Sequence, residues 1–258
     1  MHTAPILLLC AAGALATPIG RRAPATTTTT TDYVEPARCA LNPTSSGYCE
    51  GTANNASMAE IYLCGDRRLG PLELPTGIRL GTITATYDRL GGMCPGRFLE
   101  TWYDSEAKSW RYPPQDGFSL DDGGHAIKGN MTIKEGTLLD RFGHEGGRFV
   151  SPAAAPYMQR SLPPENLGTA GDATFPYQYH VYRVIRAFTV EAGPIAEGFG
   201  QPGQGVQYRM QKSVVDMKAE KFLESVNPEG LPPLNPHGDE CKKDGKDDTE
   251  QSVLKRAA

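Results

Sequence analysis

The sequence has no apolar run long enough to cross a bilayer. Its longest, Ile6–Ala16, falls well short of the ~20 residues that a membrane-spanning helix needs. It also has no basic excess: Lys and Arg number 26 against 30 Asp and Glu, for a net charge of −4, so a polyanion would have to be met locally rather than by the overall field. Four cysteines, Cys39, Cys49, Cys64 and Cys94, lack the close Cys or His pairs of a zinc site. No Walker motif, HExxH helix or nucleophile elbow occurs, which argues against P-loop, zinc-protease and α/β-hydrolase chemistry. Gly200, Gly203 and Gly205 have the wrong spacing for a Rossmann fingerprint and no βαβ frame around them.

What is present begins with an address. The short apolar run followed by small residues reads as a secretory signal peptide over 1–18. A Thr-rich linker follows over 19–35, with the dibasic Arg21-Arg22 as a candidate processing site and Thr26–Thr31 as low-complexity, O-glycosylatable chain. Four cysteines in the secreted region that follows predict two disulfides, with three connectivities open. Cys10 leaves with the signal, and Cys241 is then the odd thiol. Asn55 and Asn130 head N-glycosylation sequons and are expected at the surface.

Hydropathy divides the rest. Residues 36–115 read as a small disulfide-bearing lobe of short helices, including one from Gly96 to about Tyr103 after Cys94-Pro95. Residues 116–226 read as a mostly antiparallel sheet. Tyr179–Val190 alternates as one strand, Val206–Met210 as another, and Ser213–Ser225 as a helix. Residues 227–258 are Pro-rich, then highly charged, and read as a disordered tail. The fold class is α+β.

Two Gly-rich segments flank the best strand, Leu138–Leu167 and Gly193–Tyr208, and each sets polar side chains among aromatics, as pocket-forming loops do. Four ordered blocks lie in or between them: DRFGxxxGxF from Asp140, PYMQRSLPP from Pro156, YHVYRV from Tyr179 and GPIAxxFxQPGxGxQY from Gly193. Together they resemble the TNT-type NAD glycohydrolases, named after a tuberculosis necrotizing toxin, and in particular their secreted fungal surface branch.

The resemblance implies a secreted or cell-surface enzyme that hydrolyses the nicotinamide–ribose bond of NAD to nicotinamide and ADP-ribose, with NADP as a second candidate substrate. It implies no required cofactor, and a homodimer. It assigns catalysis to Arg160 and Gln207 and substrate binding to Arg141, with Phe142 and Phe149 as stacking walls and His180 as a further contact. The fungal branch carries an acidic calcium site after the Gln block. Here Phe222–Leu231 offers Glu224 and Glu229 without an Asp-Glu pair, which argues against calcium.

The chemistry suits these residue types. Nicotinamide in NAD is already cationic and departs neutral, so the carboxylic acid that protonates an ordinary glycosidic oxygen is unnecessary. Positioning and stabilisation of an oxocarbenium-like ribose remain. A guanidinium fork suits a pyrophosphate, and a neutral amide can hold a ribose hydroxyl or orient water. Each residue also has a structural alternative: Arg141 paired with Asp140, Arg160 capping a loop, Gln207 facing solvent and the phenylalanines in the core. The rival functions are a non-catalytic binding protein on the same scaffold and an ADP-ribosyl cyclase or transferase.

Overall fold

The computed structural model describes residues 38–168 and 176–228. The expected leader, Thr-rich linker, and the tail beyond Pro228, with Cys10 and Cys241, lie outside the described residues. In the N-terminal lobe short 3-10 turns precede helix α1 (Ile78–Thr84) and helix α2 (Pro95–Trp102). Proline at the first position of α2 loses no hydrogen bond, because a helix leaves its first amides unpaired. Phe98 and Leu99 bury its inner face. A two-residue hairpin follows, β1 (Tyr103–Asp104) with β2 (Ser109–Trp110). Disulfides Cys39–Cys94 and Cys49–Cys64 brace the lobe, so all four expected cysteines are bridged and the connectivity is settled. Asn55 is exposed, as is Asn130 further along.

The remaining strands are β3 (Gly129–Ile133), β4 (Leu138–Phe142), β5 (Phe149–Pro152), β6 (Tyr179–Val184), β7 (Phe188–Pro194), β8 (Val206–Arg209) and β9 (Leu223–Val226), with helix α3 (Val214–Ala219) before the last. They form a single sheet in the order β3-β7-β8-β5-β4-β6-β9, with every pairing antiparallel, as the alternation predicted.

Two expectations are corrected. The run Tyr179–Val190 is not one strand but two, β6 and β7, which lie apart in the sheet. Arg186, the residue that interrupted the alternation, stands in the connection. Its guanidinium sits 3.7 Å from the centroid of the Phe222 ring and donates to the Glu220 carbonyl. The parity itself held, because Tyr182, Val184 and Val190 share one core cluster. The helix expected over Ser213–Ser225 stops at Ala219, and the chain turns through Lys221 (φ 61°) into β9, where Leu223 is a buried strand residue.

The sheet is covered on both faces. Leu139, Val150, Tyr182 and Tyr208 pack under Val214 and Met217 of α3. On the opposite face Phe142, Tyr179 and Val181 meet Tyr157, Leu167 and Ile83 of α1. A third cluster joins the lobe to the sheet: Leu69, Met93, Phe98 and Leu99 enclose Phe199, from the loop after β7. Full burial of such a ring contributes roughly 1.5–3 kcal/mol. The two parts meet backbone to backbone at Gly91 and Gly200, where a Cβ on Gly91 would lie 2.6 Å from the Gly200 Cα. Among the described residues no helix is long and apolar enough to cross a membrane.

Candidate active site

The register of the central strands puts Asp140, Phe142, Phe149, Ser151 and Gln207 on one face, because Asp140 pairs with Ser151 and Phe149 with Arg209. Above them is a cleft of about 340 Å³, walled on the other side by Tyr112, Asp116, Gly117 and the Arg160–Leu162 segment. Five of the six residues expected at the site line it: Arg141, Phe142, Phe149, Arg160 and Gln207.

Asp140 is the floor. It is fully buried and accepts hydrogen bonds from the Ala154 amide at 2.8 Å and the Tyr179 hydroxyl at 3.0 Å. Arg160 closes on it with a fork, Nη1 at 2.6 Å and Nη2 at 2.8 Å. Burial, reinforced by the Asp140 charge, pushes the Tyr179 phenol well up, so it stays a proton donor. Arg160 also gives Nε and Nη2 to the Ala155 carbonyl and lies 5.1 Å from the centroid of the Phe142 ring. Four of its five N–H donors are thereby engaged, and one N–H on Nη1 is left. The fork expected for two phosphate oxygens holds a carboxylate instead.

Arg141 is held differently. Its Nε donates to the His144 carbonyl and its Nη1 to the Phe149 carbonyl, which clamps the β4–β5 hairpin, while Nη2 has no hydrogen-bond partner among the described residues. Gly147 makes this seating possible, since a Cβ there would lie 2.1 Å from Arg141 Nη2. Among the described residues Arg141 makes no ion pair, and it is one of the residues that line the cleft. Burial lowers its pKa, but a guanidinium remains charged.

Gln207 is buried, and its Nε2 donates to the Asp116 backbone carbonyl at 3.0 Å. Because that carbonyl can only accept, the amide is oriented, and Oε1 is its unspent acceptor. Phe142 is a core ring, edge-on to Tyr157 at 4.9 Å, that forms part of the cleft floor. Phe149 is half-buried at the wall. His180 stands opposite Arg141 in the β4–β6 register but is not among the cleft residues. Its ring stacks parallel to Tyr182, and its Nδ1 lies 3.9 Å from Glu145, which Lys218 holds at 2.9 Å.

The structure adds residues that sequence reasoning passed over. Tyr112 is 55% exposed at the rim, with its ring edge-on to Phe199. Asn166 donates to the Phe142 carbonyl. Ser161 bonds the Ala196 carbonyl from a left-handed backbone (φ 45°), a conformation that costs energy and clusters at functional sites. Only Ser161 had a local signal, its place beside Arg160 in the PYMQRSLPP block. Among the described residues no cluster of His, Cys, Asp and Glu has the makings of a metal site.

The model of the tuberculosis necrotizing toxin (TNT) family matches residues 132–226, a range that holds most of the residues lining the cleft. The conidial surface nicotinamide adenine dinucleotide glycohydrolase of Aspergillus fumigatus is 43% identical over 201 residues, covering 77% of this chain and 82% of that protein. Among solved structures, tuberculosis necrotizing toxin complexed with its immunity factor aligns at 17% identity with a TM-score of 0.39, over 73% of this chain and 89% of that one.

Proposed function

The chain belongs to the TNT-type NAD glycohydrolase family, in the branch of the conidial surface enzyme, and from that membership and the cleft we propose that it hydrolyses the nicotinamide–ribose bond of NAD outside the cell. The products are nicotinamide and ADP-ribose. The observation that carries this reading is the state of the cleft's carboxylates. Asp140 has both oxygens engaged, and the Asp116 carboxylate faces Arg209 at 3.3 Å. Asp140 has no oxygen to spare, and Asp116 turns one oxygen to Arg209 with its side chain 45% exposed, so neither is a buried, unpaired acid; this reaction needs none because the leaving group departs neutral.

The residues divide the work accordingly. Gln207 Oε1 accepts from a ribose hydroxyl or from the attacking water. Arg141 offers its open N–H groups to the pyrophosphate. Arg160 reaches the substrate with its remaining Nη1–H while its fork keeps Asp140 in place. Phe149 and Tyr112 flank the nicotinamide. The expected leader, the glycans at Asn55 and Asn130, and the homodimer belong to the same reading of a secreted surface enzyme, as does NADP as a further substrate.

The test is Gln207→Ala on the purified protein with NAD, products resolved by chromatography. Expected is a folded protein with an unchanged melting temperature and turnover lower by at least about a hundredfold, or roughly 2.7 kcal/mol of barrier. A folded variant that releases nicotinamide at the parent rate sinks the assignment. Cyclic ADP-ribose as the parent's main product would replace the hydrolase with the cyclase.

A further inference from the structure

Gln207 is oriented by a backbone carbonyl, and that carbonyl sits in an unusual turn. Gln115, Asp116 and Gly117 all have positive φ, at 53°, 61° and 77°. For the two residues with a Cβ this backbone is costly, and it persists only where the surroundings fix it. Two contacts fix this turn from below. The Ala196 amide donates to the Gly117 carbonyl at 2.9 Å, and Arg209 Nε lies 3.3 Å from Asp116 Oδ2. Arg209 is itself held: its Nη1 donates to Glu191 at 2.6 Å, and Lys128 lies 2.8 Å from the other Glu191 oxygen. Arg209 Nε is buried and makes no regular hydrogen bond, so the Asp116 carboxylate is its compensating charge.

We infer that Arg209 is a positioning residue for Gln207. It holds Asp116, and the carbonyl of Asp116 holds the amide. A charged chain thus runs from Lys128 through Glu191 and Arg209 to Asp116, whose backbone carbonyl takes the neutral amide of Gln207. Gln207 and Arg209 are two residues apart on β8 and share a face, so the strand that carries the amide also carries the group that orients it. A glutamine side chain has three rotatable bonds, and one hydrogen bond to a loose loop would not fix its Oε1. Anchoring the loop to the same strand removes that freedom before substrate arrives.

This rests on the hydrolase reading, so the experiment includes a measurement independent of activity. In the full-length protein labelled with nitrogen-15, the side-chain amide pair of Gln207 is assigned by its loss in Gln207→Ala. Arg209→Gln and the near-isosteric Asp116→Asn are then compared with the parent. Expected in both is a shifted Gln207 amide whose hydrogen exchange is at least roughly tenfold faster. Turnover should fall roughly ten- to a hundredfold, with KM for NAD within about twofold and the melting temperature nearly kept. Arg209→Lys should restore part of the turnover, because an ammonium can meet Asp116 or Glu191 but cannot fork between them. An unchanged Gln207 amide in both variants, or a rise in KM with turnover intact, overturns the assignment. A parent inert towards NAD whose Gln207 amide still moves in both variants upholds the positioning chain and overturns the hydrolase reading alone.

Discussion

Among the described residues, two buried aspartates are each gripped by an arginine, one in the N-terminal lobe and one under the cleft. Asp66 accepts from the Ala53 amide and from the Arg68 amide, Nε and Nη2. Asp140 accepts from the Ala154 amide, the Tyr179 hydroxyl and both ends of the Arg160 fork. Each arginine also lies over an aromatic ring, Arg68 at 4.7 Å from the Tyr103 centroid and Arg160 at 5.1 Å from Phe142. The local chemistry is nearly the same, but the reach differs. Arg68 is two residues from its aspartate and 26% exposed; Arg160 is 20 residues away and 3% exposed. The first pair caps a turn. The second ties β4, β6 and the loop after β5 into one floor, and its burial makes it both costly to break and able to hold a site.

The largest effect should come from breaking the floor. Asp140→Asn leaves Arg160 buried without a counter-charge, a change that typically costs about 3–5 kcal/mol. For a domain of this size that is a fall of roughly 10 °C in melting temperature, and nicotinamide release should be lost with it. Next comes the bracing of the lobe. Replacing Cys39 and Cys94 together by serine should cost about 2–4 kcal/mol, read by denaturant titration, while the fraction still folded keeps the parent's turnover. A matching loss of turnover would mean that the lobe shapes the cleft directly.

Asp66→Asn should be milder, about 1–3 kcal/mol, because water replaces part of what the quarter-exposed Arg68 loses, and turnover should stay at the parent value. If Asp66→Asn abolishes activity as Asp140→Asn does, the contrast between the two pairs fails. The same variant gives a pH signature. Burial pushes the Asp66 carboxyl up, but hydrogen bonds from Arg68 and the Ala53 amide together hold it below its ordinary value of 3.8. A depressed folded pKa means that this stabilisation is fully present above the unfolded value and is lost as pH falls through the folded one. From about pH 4 downward the parent's melting temperature should therefore fall more steeply than that of Asp66→Asn.

The legibility of each feature followed its reach along the chain. Pro95 after a cysteine marks a helix start within one residue, and α2 begins there. Alternation identified β8 and the inward face of both β6 and β7, but could not say that Arg186 marked a change of strand rather than a flaw in one. Apolar spacing over Val214–Leu223 fits a helix, and only the partners of Leu223 in β9 and β6 show that it ended early.

By itself the sequence determined that four cysteines would bridge and that the core would be an antiparallel sheet with a small helical lobe. Its motif blocks also named Arg141, Phe142, Phe149, Arg160 and Gln207, which now line one cleft. Those properties reside in composition, in short-range pattern and in blocks whose order survives as text. The tertiary structure alone decided which arginine Asp140 would take, passing over its neighbour Arg141 for Arg160. It also decided that Gln207 would be oriented by Asp116, 91 residues away. The reason is physical. A buried carboxylate takes whichever donor the register and the loops bring within about 3 Å, and register is a property of the whole sheet, which no single segment encodes.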